Sequence, residues 1–178
     1  MSKPFLFKCH IAATVLLLFM YGCNIQPLKI DTHIAPAGSN IMERITVPEG
    51  YARIVADSNS FGGFLRYLKL KPNGTPVHYF NGRIKDNHHL YVAVVDMPIG
   101  NKDLQQCADA VMHLRAEYLY THGMQDKIHF TLTNGFRADY SKWTEGYRIA
   151  VEGNKTKWVQ TAQPGDSHDI LDKYMEVI

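Results

Sequence analysis

The sequence predicts an α+β domain, with a mixed or antiparallel sheet packed on one long helix, and three observations predict it. Residues 103–122 carry apolar side chains at helical spacing between a capping signal and Gly123. Residues 128–133 alternate apolar and polar, the period of a strand with one buried face. The runs 147–151 and 155–160 straddle Glu152-Gly153-Asn154, a hairpin signal. A chain of 178 residues, 46% hydrophobic and 20% charged, has the composition of one globular domain and is long enough to bury a core.

Taken in order, the domain opens with two short extended runs, 44–47 and 51–55, around the turn Pro48-Glu49-Gly50. Asp57 or Ser58 caps a short helix through Phe64, Leu65 and Leu68 that ends before Pro72. Strands follow at 76–80 and 90–95 about Asn81-Gly82, the second apolar on both faces as a central strand is. In the helix at 103–122, Asp103 and Gln106 form a capping box. Leu104, Cys107, Ala108, Val111, Leu114 and Tyr118 fall on one arc of about 120°, the expected core face. Ile128, Phe130 and Leu132 face inward from the next strand, His129 and Thr131 outward, and Asn134-Gly135 turns it. Ser167 caps a last helix with Ile170, Leu171, Tyr174, Met175 and Ile178 on one face.

The N-terminus is a targeting signal. Lys3 and Lys8 precede ten uncharged, mainly apolar residues at 11–20. A membrane span needs about 20 such residues, and a basic start with a short apolar stretch is the pattern of a secretory signal peptide. Met20-Tyr21-Gly22-Cys23 resembles the lipobox of bacterial lipoproteins, with Gly22 and Cys23 the better matches. That resemblance implies cleavage before Cys23 and acylation there, an anchor whose chains bury about 0.8 kcal/mol per CH₂ in lipid; a plain signal peptide with a chance cysteine is the alternative. The division is then 1–22 signal peptide, 23–42 lipidated N-terminus and tether, and 43–178 a single globular domain. No acidic run follows Cys23, which points to an outer-membrane, periplasm-facing location.

Removing Lys3 and Lys8 from the 19 basic residues leaves 17 against 17 acidic ones, so the mature chain is neutral and has no basic run for nucleic acid. Of three cysteines, Cys9 leaves with the signal and Cys23 carries lipid. Cys107 is then a lone thiol with no disulfide partner. It is either a small core residue or a nucleophile, because a helix start favours the thiolate. His129, on the next strand, is the candidate base within the chain; His113 lies about 120° around the helix from the thiol and cannot reach it. Arg115 sits at the rim of the apolar arc; if buried it needs a carboxylate such as Asp96, and otherwise it snorkels outward.

Metal binding has the least support. His88 and His89 are adjacent and point to opposite strand faces, and no H-E-x-x-H or Cys/His pair at ligand spacing is present. No cofactor is indicated: Phe61-Gly62-Gly63-Phe64 lacks the spacing and lysine of a phosphate loop, and there is no G-x-S-x-G elbow. Tyr140, Trp143 and Tyr147 either line a groove for a glycan or peptide or pack the core.

Ser60-Phe61-Gly62, Phe64-Leu65-Arg66, Leu70-Lys71-Pro72, Ala93-Val94-Val95-Asp96 and the block D-L-Q-Q-C-A-D-A-V-M-H-L-R-A-E-Y-L-Y at 103–120 resemble the Bacteroidetes lipoprotein family catalogued as domain of unknown function 4846. Ile128-His129-Phe130, Asn134-Gly135-Phe136 and Trp143 extend the resemblance over roughly 44–178. Family members are typically longer and carry a Gly-His leading into an apolar strand. A cysteine at a helix start followed by such a histidine is the chain order of papain-like and cell-wall amidase folds, so the resemblance implies the N-terminal half of such a fold with Cys107 at the nucleophile position. This chain stops at Ile178, before any such histidine, as a C-terminally truncated member would, and has His113 where arginine is usual. The expectation is an envelope lipoprotein of unknown activity, not catalytic at this length, attached to the membrane by its N-terminal lipid. The alternatives are a thiol hydrolase acting on peptide or peptidoglycan amide bonds through Cys107, and a peptide- or glycan-binding module.

Overall fold

The computed structural model describes residues 33–178 apart from 87, 100, 101, 104 and 105. The expected signal peptide, residues 1–22, and the expected lipidation site, Cys23, lie outside the described residues. Within 34–178 the chain is α+β, as expected, but its strands form two separate antiparallel hairpins, not one sheet. No described helix is long and apolar enough to cross a membrane.

Caps and turns set the element boundaries. Helix α1 (Ile41–Arg44) begins at Asn40, whose side chain accepts from the Glu43 N–H at 3.0 Å. Its last residue, Arg44, is only 2% exposed, and its Nε and an Nη donate to the Gly38 carbonyl at 2.9 and 2.6 Å. A buried cation is thus held by a peptide carbonyl, which ties Gly38 to the end of α1. Helix α2 (Phe61–Arg66) begins at Ser60, whose hydroxyl accepts from Gly63 at 3.0 Å, so the cap falls two to three residues beyond the expected Asp57 or Ser58.

The expected strands before the long helix do not form ladders. Residues 44–47 begin with the end of α1, and 51–55 are irregular, with Ile54 80% and Val55 98% exposed. Residues 76–80 and 90–95 supply only isolated bridges, His78 to Ile84 and Leu70 to Val95. The second is flanked by Lys71 N–H to Val94 O and Asp96 N–H to Lys69 O, both 2.8 Å. An apolar run becomes a central strand only if two partners present edges to it, and among the described residues 90–95 pairs on one side alone.

Helix α3 (Cys107–Thr121) begins four residues later than expected, and the Gln106 N–H donates to Asp109 Oδ2 at 3.0 Å in place of the Asp103–Gln106 box. Its buried residues are Ala116, Tyr118 and Leu119. Of the expected core arc, Tyr118 is buried and Leu114 half-buried, while Cys107, Ala108 and Val111 are exposed; Leu104 is outside the described residues. Ala116 lies about 180° around the helix from Cys107. Tyr118 lies only about 20° around from Cys107, so the arc does face the core at the C-terminal turns, where Ala116 and Leu119 are buried as well, and the first turns at Cys107, Ala108 and Val111 extend beyond it. Gly123, at φ 68°, ends the helix as expected.

Strands β1 (His129–Thr131) and β2 (Arg137–Asp139) pair with Phe130 opposite Ala138. Ile128 is buried while His129 and Thr131 are exposed, matching the alternation. Helix α4 (Tyr140–Thr144) follows, then β3 (Tyr147–Glu152) and β4 (Lys155–Gln160), the hairpin expected from Glu152-Gly153-Asn154. Gly146 joins α4 to β3 at φ 92°, and a Cβ there would lie 2.3 Å from the Ala162 carbonyl oxygen, so no other residue fits.

Helix α5 (His168–Met175) starts after Ser167, as expected, and seats Leu171 and Tyr174 in the core. The Tyr174 hydroxyl donates to the Ala138 carbonyl at 2.6 Å, and its ring meets Tyr140 at 5.2 Å and Trp143 at 5.6 Å, edge to face. Tyr140 is 0% and Trp143 4% exposed, so of the two roles open to them these aromatics take the packing of the core.

Tyr174 and Tyr140 should separate under mutation. Tyr174→Phe removes a buried hydrogen bond and is expected to cost about 1–2 kcal/mol in denaturant unfolding. The Tyr140 hydroxyl has no hydrogen-bond partner among the described residues. Tyr140→Phe is therefore expected to be neutral or stabilising, because it deletes an unpaired buried group. Equal losses in the two variants would contradict this assignment.

Candidate functional site

Helices α3 and α5 each place a histidine one turn before a carboxylate: His113 and Glu117 on α3, His168 and Asp172 on α5. The spacing of four puts each pair on one helical face, and the buried stripe of α5 turns its pair toward α3. His168 Nε2 lies 2.9 and 3.1 Å from the two Glu117 oxygens, and its Nδ1 lies 3.3 Å from Asp172 Oδ2. His113 Nε2 lies 3.3 Å from Glu117 Oε1. The side chains of His113 and Glu117 are 14% and 20% exposed, those of His168 and Asp172 47% and 48%. His168 is also held by the ring of Tyr120, edge on at 5.4 Å, and the Tyr120 hydroxyl donates to the Asp166 carbonyl at 2.7 Å.

One donor atom from each of His113, Glu117 and Asp172 lies within 4.8 Å of the others, a set whose chemistry suits a divalent cation. His113 and Asp172 also line a cleft of about 510 Å³ between the first turns of α3 and the end of α5. Met112, Met175 and Ile99 give it apolar walls, and Asp103, Asp109, Asp172 and Glu176 give it carboxylates. At its rim Lys102 pairs with Glu176.

The electrostatics follow from this geometry. Burial penalises the Glu117 carboxylate, but hydrogen bonds from His113 and His168 outweigh it and hold the group below its ordinary range. Burial likewise opposes charge on His168, and the Glu117 hydrogen bond and charge, with Asp172 assisting, raise its pKa above the ordinary imidazole value.

The residues singled out in the sequence lie elsewhere. Cys107 is exposed as the first residue of α3 and not part of the core. His129 is exposed on β1 with Nδ1 3.0 Å from the Lys127 carbonyl, and no hydrogen bond joins it to Cys107. Arg115 and Asp96 are both exposed, and no ion pair between them is found among the described residues, which removes the buried pair as a reading. The Arg115 guanidinium instead lies over the rings of Phe61 and Tyr118, 5.1 Å from each centroid, so it keeps its hydration and needs no carboxylate. Ligand-spacing motifs test one segment at a time; the His-x-x-x-Glu and His-x-x-x-Asp pairs were visible as single spacings, but only the fold brings them together.

Fold and site together define a small α+β domain with a carboxylate-rich cleft between two helices. A family model described as domain of unknown function (4846) matches residues 41–178, and the chain belongs to that family. No curated protein and no solved structure matches the chain.

The His168–Glu117 contact fixes a pH dependence. Glu117, with its pKa lowered from 4.5, contributes stability that is complete above about pH 4.5 and lost as pH falls through its folded value. His168, with its pKa raised from 6.5, contributes stability that is complete below about pH 6.5 and lost as pH rises through its folded value. Thermal unfolding is expected to show highest stability between those limits, with a modest decline above them because exposed pairs are worth about 0.2–1 kcal/mol. His168→Gln should flatten the alkaline side; an unchanged profile in that variant would contradict the coupling.

Proposed function

We propose that the protein is an envelope lipoprotein whose family domain binds a small, amine-bearing peptide in the cleft between α3 and α5. The observation that carries this reading is the cleft itself. At about 510 Å³ it falls within the range of roughly 300–1,000 Å³ usual for ligand sites. Its lining sets apolar walls beside four carboxylates, with Lys102 already paired to Glu176, so it favours a cationic group on an apolar body. A free peptide amine, as in cell-wall stem peptides, has that chemistry. Anchoring rests on the sequence of residues 1–23, with lipid on Cys23 and the domain held at the outer membrane, facing the periplasm.

Titration calorimetry with a short stem-type peptide bearing a free amine tests the cleft. Binding is expected to weaken about tenfold or more in Asp103→Asn or Asp109→Asn, the cost of one unpaired charge of 1.4 kcal/mol or more. No binding, or binding indifferent to both substitutions, contradicts it. For the anchor, the protein in the membrane fraction is expected to carry acyl chains on an N-terminal peptide that begins at Cys23, and Cys23→Ser should release it; an unacylated N-terminal peptide contradicts the anchor.

The exposure of Cys107 at the first residue of α3 favours a second reading, a thiol hydrolase acting on peptide or cell-wall amide bonds. Its nucleophile would sit at the helix start, with His129 or another group as base. Iodoacetamide at neutral pH separates the readings. Alkylation faster in the native protein than in the denatured one supports an activated thiol; an equal or slower rate leaves Cys107 an inert surface residue.

A further inference from the structure

We propose that His113, Glu117 and Asp172 form a binding site for a divalent transition-metal ion, with Zn²⁺ the best fit, opening into the cleft between α3 and α5. The donors are one imidazole nitrogen and two carboxylate oxygens, a set that zinc accepts readily. They come from two helices that the core already fixes, α3 through Ala116 and Leu119 and α5 through Leu171 and Tyr174, so the site is assembled on rigid elements. At ligand distances of about 2.0–2.2 Å, tetrahedral geometry places donors about 3.4 Å apart. The three donors lie within 4.8 Å of one another, so side-chain rotation alone closes the difference.

Two further features belong to a metal site more than to a chance ion-pair cluster. First, His113 and Asp172 both line the cleft, which leaves a coordination position open to water or a ligand. Second, His168 stands behind the donors and braces them: Nε2 spans both Glu117 oxygens while Nδ1 reaches Asp172. A ring that hydrogen-bonds to two ligating carboxylates fixes their orientation, as the outer partners of metal ligands do. Ligation needs His113 neutral, so the three donors carry two negative charges that a divalent ion neutralises, while His168 donates to both carboxylates as the imidazolium through Nε2 and Nδ1. His168 is a positioning residue in this scheme, not a ligand. The site stands whether or not the cleft takes a peptide.

The test is Zn²⁺ titration calorimetry on the full-length, metal-stripped protein, together with the visible spectrum of the Co²⁺-substituted form. One Zn²⁺ per chain is expected, and His113→Ala and Asp172→Asn should each weaken it at least about tenfold and alter or abolish the Co²⁺ bands. His168→Ala should weaken Zn²⁺ by about 10–100-fold while leaving the form of the Co²⁺ spectrum unchanged, because the ligating atoms stay the same. Asp172→Asn is nearly isosteric, and its unfolding without metal serves as the control that the fold is kept. Absence of stoichiometric Zn²⁺ binding overturns the proposal. So does binding that persists equally in His113→Ala and folded Asp172→Asn, which would place the ion on other histidines.

Discussion

The Tyr174 side chain, through its hydroxyl on the Ala138 carbonyl and its ring against Tyr140 and Trp143, holds the last helix to the rest of the domain. Helix α5 is only eight residues long, too short to persist in water on its own propensity. Its place is therefore set by tertiary contact, and Leu171 and Tyr174, both fully buried, make that contact. On another face of the same helix, Asp172 and His168 face Glu117 and His113. The polar cluster and the cleft thus exist only because an apolar anchor fixes the rotation of α5 about its axis. A rotation by one residue, about 100°, would carry Asp172 away from α3 altogether.

That dependence explains the balance of forces in the site. The contacts among His113, Glu117, His168 and Asp172 are partly exposed and contribute little to stability taken singly. The aromatic and aliphatic side chains around Tyr174 supply the stability, and the polar groups are positioned by them. Glu117 is the pivot, because it accepts from a histidine on its own helix and from one on the facing helix. Burial and partnership oppose each other there, and the partners prevail.

The C-terminal half of the fold was legible in the sequence because its signals are local. Asn134-Gly135 and Glu152-Gly153-Asn154 turn two hairpins, Gly123 ends α3, and Ser167 starts α5, each by backbone chemistry confined to a few residues. The N-terminal part was less legible, since runs such as 90–95 need a distant partner to become strands and find it at one residue pair. The buried part of α3 is shorter than its apolar arc, because Cys107, Ala108 and Val111 continue that arc past the point where the core ends. Cys107 and His129 stand out in the sequence as single residues of reactive type. His113, Glu117, His168 and Asp172 matter as a set, and the chain separates Glu117 from His168 by 51 positions. Spacing within a segment carries no information about a pairing of that kind.

The most direct measurement of the account is amide hydrogen exchange in α5, compared with the β1–β2 hairpin. If Tyr174 anchors the helix as described, amides near Leu171 and Tyr174 should exchange as slowly as those of Phe130 and Ala138, opening only with the whole domain. Exchange there that is orders of magnitude faster than in the hairpin would mean that α5 detaches on its own. The cleft and the cluster that depend on it would then have no fixed structure.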